Sequence, residues 1–140
     1  MDAERSVFWD DLAQDLKDPQ FLREYVAESI RIATIDRIVS ELDEAREAAG
    51  LSKAELARAI STEAATVRRL FSAGHVNPTL GTLAEVAAAL GMRVILEPLR
   101  AGERREITGP LRQGSTNDPH ALARNMDAMR NKPDQKLATA

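Results

Sequence analysis

The sequence predicts a mainly α-helical protein with a short β-strand or hairpin toward its C-terminal end, and three observations lead there. Alanine, leucine, glutamate and arginine dominate the composition, and all four are good helix formers. Between residues 6 and 90, apolar side chains recur at three- and four-residue intervals, the spacing of one helix face. After Gly91 that period gives way to alternation over MRVILEPL. A length of 140 residues with 44% apolar side chains suits one compact domain with appendages.

The elements follow in order. Residues 6–17 read as a first helix, with Phe8, Leu12 and Leu16 four residues apart. Asp18-Pro19 marks a boundary, because aspartate caps and proline is tolerated at a first helical position. A second helix, from about 19 to 32, carries Leu22, Val26 and Ile30 on one stripe with Phe21 and Tyr25 beside it. Thr34 is placed to cap a third, in which Ile35, Ile38, Val39, Leu42, Ala45 and Ala49 recur until Gly50 ends it. Ser52 and Glu55 then stand at the capping-box spacing at the head of a short helix, 52–60. Three or four residues later a further helix turns Ala64, Val67, Leu70 and Phe71 inward. SAGHVNP (72–78) is a loop by its Gly, Asn and Pro content. A helix opening at Thr79 or at Gly81-Thr82 runs to Gly91.

Beyond Gly91, Met92, Val94 and Leu96 fall on one face of a candidate strand, opposite Arg93, Ile95 and Glu97. Pro98 stops it. The strand pairs either with the same strand of a second copy or, through a turn at Ala101-Gly102, with REITGPL (105–111). Pairing between copies makes Met92, Val94 and Leu96 the dimerisation residues. From Gln113 onward the chain is polar and broken by Gly, Asn and Pro. A weak helix is possible at 119–130, and much of this tail is expected to be mobile.

Composition also excludes functions. Without cysteine there are no disulfides and no thiolate metal sites. No apolar run approaches the ~18 residues that span a bilayer. The start, MDAERSVFWDDL, lacks the basic flank of a signal peptide, so a soluble cytoplasmic protein is expected. His75 and His120 stand 45 residues apart without ligand-spaced companions, so no metal is expected. Phosphate loops, nucleophile elbows and His-Glu-x-x-His runs are missing, and nothing asks for a cofactor. Asp10-Asp11 and Asp43-Glu44 read as solvated helix faces rather than a catalytic dyad. No enzymatic activity is expected.

Net charge is −3, but it is unevenly spread. Residues 1–50 hold six Lys/Arg against thirteen Asp/Glu, whereas 51–100 hold six against four and 101–140 seven against five. Such asymmetry fits two surfaces with different partners, or simply solvated acidic helices.

The informative block is residues 51–92. Two short helices, a tight turn and a third helix soon after form the order of a helix-turn-helix, which must present one face of its second helix free of core side chains. Leu56, Ala57 and Ile60 pack the first of the pair, and the small Ala57 lies where the two helices cross. Ala64, Ala65, Thr66, Arg68, Arg69 and Ser72 face away. Arginine reads guanine bidentately, and alanine or threonine methyls meet the thymine methyl. Arg69, four residues from Ala65 and three from Thr66, is therefore the first candidate for base contact, with Ala64, Ala65 and Thr66 beside it. Arg68 and Ser72 sit further round, toward phosphate. Ser52 and Lys53 suit a phosphate at the preceding helix start, and Asn77 and Thr79 donate similarly from the loop.

These residues carry a resemblance. Leu51-Ser52, Glu55-Leu56-Ala57, Thr66-Val67, Leu70, Asn77-Pro78-Thr79, Thr82-Leu83 and Ala87-Ala89-Leu90-Gly91 are similar to the Cro/CI-like (XRE) helix-turn-helix family over roughly 45 residues. The resemblance implies a five-helix, lambda-repressor-like domain carrying extra N-terminal helices. DPQFLREYVAES and NPTLGTLAEVAAALGMRVILEP further resemble the HigA-type antidotes of addiction modules, which repress their own operon and block a small mRNA-cleaving toxin. Three positions depart from the pattern: Ser61, where glycine is usual, Glu63, and Phe71 at a usually polar position. A left-handed backbone at Ser61 would cost about 1 kcal/mol.

The expected organisation is therefore acidic N-terminal helices (1–34) for partner or dimer contact, a DNA-binding domain (35–91), a strand or hairpin (92–112) and a polar tail (113–140). The expected function is a dimeric repressor on a palindromic double-stranded operator, serving as the antitoxin to a small basic toxin. The alternatives are a stand-alone or phage-type regulator, and a protein-interaction module that has lost DNA binding.

Overall fold

A computed structural model describes residues 3–72 and 77–131, and these are mainly helical. In chain order the helices are α1 (Ala3–Asp15), α2 (Pro19–Ala48), α3 (Lys53–Ala59), α4 (Ala64–Leu70) and α5 (Leu80–Ala89). After an extended stretch come α6 (Ala101–Glu103), a π-helical turn (Arg104–Thr108), α7 (Gly109–Gln113) and α8 (Pro119–Asn131). None of the described helices is long and apolar enough to cross a membrane. The chain divides into two units, one formed by residues 34–97 and the other by 1–33 together with 98–140.

In residues 34–97, the last turns of α2 and helices α3 to α5 close over Leu42, Leu56, Ala57, Val67, Leu70, Leu83, Val86 and Ala87. Ser52 caps α3 as its spacing predicts: its hydroxyl accepts from the Glu55 amide at 3.0 Å, and its amide donates to Glu55 Oε1 at 3.0 Å. Donation from the Ser52 amide to this carboxylate, with a smaller contribution from the Ser52 side chain, holds the Glu55 carboxyl below the usual glutamate range. The box is thus fully made above that range and opens as pH falls through the lowered value. Of the two possible openings of α5, Thr79 is the one used: its Oγ1 accepts from the Thr82 amide at 3.1 Å.

Three helices of this unit end alike. After α2, Gly50 (φ +71°) donates to the Glu47 carbonyl and Leu51 to that of Arg46. After α5, Gly91 (φ +76°) and Met92 bond Ala88 and Ala87 in the same way. After α3 the left-handed residue is Ser61, at φ 54°, with Ser61 bonded to Arg58 and Thr62 to Ala57. The turn keeps the conformation glycine favours although serine occupies it. Ser61→Gly is therefore expected to raise the stability of this unit by up to ~1 kcal/mol, read as an upward shift of its urea midpoint. A midpoint that stays or falls would show that the serine carries no strain.

The other unit packs α1, the first turns of α2, the π-helical turn and α8 around Leu16, Leu22, Val26, Ile107, Leu122, Ala123 and Met126. Polar links tie its segments together. Arg23 donates from Nε to the Leu111 carbonyl and from Nη2 to that of Arg112, each at 2.9 Å, so it caps the end of α7. Gly114 follows at φ +72°, where a Cβ would stand 2.9 Å from Arg23 Cζ. The buried Ser29 hydroxyl donates to the Tyr25 carbonyl at 2.8 Å and accepts from Arg130 Nε at 2.8 Å. Arg130 also lies over the Tyr25 ring, 5.2 Å from its centroid. Burial raises the Tyr25 hydroxyl above its ordinary pKa, against the opposing charge of Arg130.

Several expectations are corrected here. Thr34 caps nothing: α2 runs unbroken through it, and the residue is exposed in mid-helix. Residues 92–97 form no strand, and 105–111 forms no hairpin arm. Instead, Ile107 is buried in the helical core and the Gly109 amide bonds back five residues to the Arg104 carbonyl. Pro110, lacking an N–H, cannot supply the ordinary bond to residue 106, and the turn widens there. With 105–111 helical, Met92, Val94 and Leu96 have no intrachain ladder to join, and alternation alone makes no strand. Within the tail, residues 119–131 are an ordered helix whose Leu122, Ala123 and Met126 complete a core.

Candidate nucleic-acid interface

The helix pair α3–α4 presents the candidate surface. Leu56 and Ala57 from α3 and Val67 and Leu70 from α4 are buried together, which fixes which side of α4 is left outward. Along that side Ala65, Arg68, Arg69 and Ser72 are all exposed, at the i, i+3, i+4, i+7 spacing of a single stripe. Thr66 is half-buried at its border. Ala64 is half-buried and packs against the core.

The two arginines sit in the last turn of α4, where cations oppose the negative end of the helix dipole. Among the described residues neither makes a salt bridge. Glu63 is the N-cap of α4 but gives no side-chain cap bond. Its carboxylate is exposed at the opposite end of the helix from Arg68 and Arg69.

The remaining candidates fare unevenly. Ser52 is exposed, but its hydroxyl and amide are engaged in the capping box. Lys53 beside it is half-buried. The Ser72 hydroxyl donates to the Arg69 carbonyl at 2.8 Å, so its proton is already committed to closing the helix. Asn77 and Thr79 are exposed at the entry to α5, where the Thr79 hydroxyl serves as cap. Residues 73–76 of the loop, His75 included, lie outside the described residues. Met92, Val94 and Leu96 are 41%, 41% and 98% exposed. His120 lies far from this surface in sequence, with Nε2 3.0 Å from Asp10 Oδ1.

One residue at this site escaped sequence reasoning. Arg46, in the last turn of α2, donates from Nε to Asp43 Oδ1 at 2.9 Å and from Nη1 to the Leu51 carbonyl at 2.8 Å. Its guanidinium lies 5.8 Å from the centroid of the Phe71 ring. Phe71 is the C-cap of α4, half-buried against the core. An arginine four residues ahead of a helix-ending glycine was the available signal, since basic side chains there bond the last carbonyls.

Among the described residues no cluster of His, Asp and Glu could hold a metal. Neither the curated proteins nor the solved structures give a significant match to the chain. Residues 42–94, from the last turns of α2 to the start of the extended stretch, match the family model described as helix-turn-helix, and this match supports a DNA-binding transcriptional regulator.

Proposed function

We propose that the regulator is an autoregulating repressor and antitoxin, which binds its own operator through α4 and a small basic toxin through its acidic N-terminal helices. The exposed Ala65/Arg68/Arg69 stripe on an otherwise anchored helix is the observation that carries the DNA half of this reading. Arg69 reads a base edge, flanked by Ala65 and Thr66. Lys53, Arg68 and Asn77 hold phosphates, with Ser52, Ser72 and Thr79 contributing less because their side chains are spent on helix ends. Two copies joined through the exposed Met92, Val94 and Leu96 put two α4 helices about 34–36 Å apart, on the half-sites of a palindrome.

The toxin half rests on the HigA-type resemblance and on charge. Asp11, Asp15, Asp18 and Glu24 are exposed along α1 and the start of α2. One observation favours the second reading, a regulator without a toxin. Residues 1–33 carry four Lys/Arg and eight Asp/Glu, while 98–140 carry eight and five. The acidic helices thus have a basic counterpart within their own unit, and His120–Asp10 and Arg130–Glu28 pair across it at 3.0 and 3.9 Å.

Arg69→Ala is expected to cost ~1–3 kcal/mol on the DNA upstream of the chain's own reading frame and little on scrambled DNA, in a mobility-shift titration. Equal losses on both would remove Arg69 from base reading. Co-purification with the product of the neighbouring reading frame decides between the two readings: a chain recovered alone, yet still binding its upstream DNA, is a stand-alone regulator.

A further inference from the structure

Resting on the reading of α4 as the DNA-contacting helix, we infer that Arg46 and Phe71 together form a clamp that sets the angle of α4, making Arg46 a positioning residue for sequence selectivity. One guanidinium joins three segments. It is tied to Asp43 on its own helix, bonds the Leu51 carbonyl just before the Ser52 cap of α3, and lies against the ring that ends α4. Its side chain is only 13% exposed, so its role is exerted within the fold rather than on DNA. A cation held over an aromatic face is attracted by the ring quadrupole, and more so where water is largely excluded.

What the clamp holds is the end of α4 that bears the arginines. Phe71 follows Arg69 by two residues; its amide donates to the Val67 carbonyl at 3.1 Å, and the Arg69 carbonyl accepts from the Ser72 amide at 3.3 Å and the Ser72 hydroxyl at 2.8 Å. A seven-residue helix is about 10 Å long, so a tilt of about 10° shifts one end by about 2 Å. Bidentate reading tolerates about 0.5 Å. The hydrophobic contacts of Val67 and Leu70 anchor α4 from behind, but apolar packing is non-directional. The arginine fork is directional, and lysine, a point charge on a flexible stem, does not reproduce it.

The test compares the full chain with Phe71→Leu, Arg46→Lys and Phe71→Tyr on the upstream DNA and on scrambled DNA, with circular dichroism melts as a check on folding. Phe71→Leu keeps an apolar side chain but removes the π face. The operator-to-scrambled affinity ratio is expected to fall about tenfold in Phe71→Leu and Arg46→Lys and to be restored in Phe71→Tyr. In an Arg69→Ala background, Phe71→Leu is expected to lower the ratio no further. Ratios unchanged in variants that have merely lost melting temperature overturn the inference and leave the DNA reading intact. A parent chain without preference for its upstream DNA overturns both.

Discussion

Leu56→Ala is expected to destabilise residues 34–97 by about 3 kcal/mol, within the range of ~2–5 for burying a void in place of a leucine. Leu56 is completely buried, and the core around it draws on every helix of the unit: Leu42 of α2, Val67 and Leu70 of α4, Leu83, Val86 and Ala87 of α5. α3 and α4 are seven residues each, too short to persist without tertiary packing, so neither can shift to refill the space while keeping its turn. The loss should appear as faster amide exchange throughout α3 to α5, because a core shared this widely opens as one unit. The single tryptophan, Trp9, packs in the other core, so its fluorescence transition in urea should stay where it is. Amide protection in α3 to α5 that survives the substitution would mean the core draws little stability from this leucine.

The helix-turn-helix was legible because every signal it needs is local. Ser52 and Glu55 lie three residues apart, Gly50 and Gly91 punctuate, and the apolar period holds from Leu56 to Leu70. The inference that Ala57 belongs at a crowded place agrees with its burial beside Val67 and Leu70. Ala64 reads both as an inward residue and as a base contact, and it is half-buried against the core: at the first position of a short helix the period has had no length in which to declare itself. The unit built from residues 1–33 and 98–131 was not legible. Its core pairs Leu16, Leu22 and Val26 with Ile107, Leu122 and Met126, about a hundred residues away, and no short-range pattern reports such a contact. The same distance hid the roles of Arg23 and Ser29, whose partners are Leu111, Arg112 and Arg130. REITGPL reads as a strand joined through the turn at Ala101-Gly102, yet the segment is helical and Pro110 stands where one turn of it widens.

Met126→Ala tests the consequence of that long-range assembly. Met126 is completely buried, and α8 meets the rest of the unit through it, Leu122 and Ala123, with His120–Asp10 and Arg130–Ser29 toward the two ends. The exposed His120–Asp10 pair contributes little, since surface ion pairs are worth ~0–1 kcal/mol. The apolar face must therefore hold α8 in place. Removing the methionine side chain is expected to cost ~2–5 kcal/mol, read as a lower urea midpoint of Trp9 fluorescence, because Trp9 packs against this core. The two cores have no residue in common, so the operator affinity carried by residues 34–97 should change less than twofold, about 0.4 kcal/mol. Both outcomes follow from α8 being a structural member of its own unit. A Trp9 transition that does not move would return residues 119–131 to the status of a loosely attached tail, whereas operator binding lost in step with Trp9 would mean that the two units fold as one.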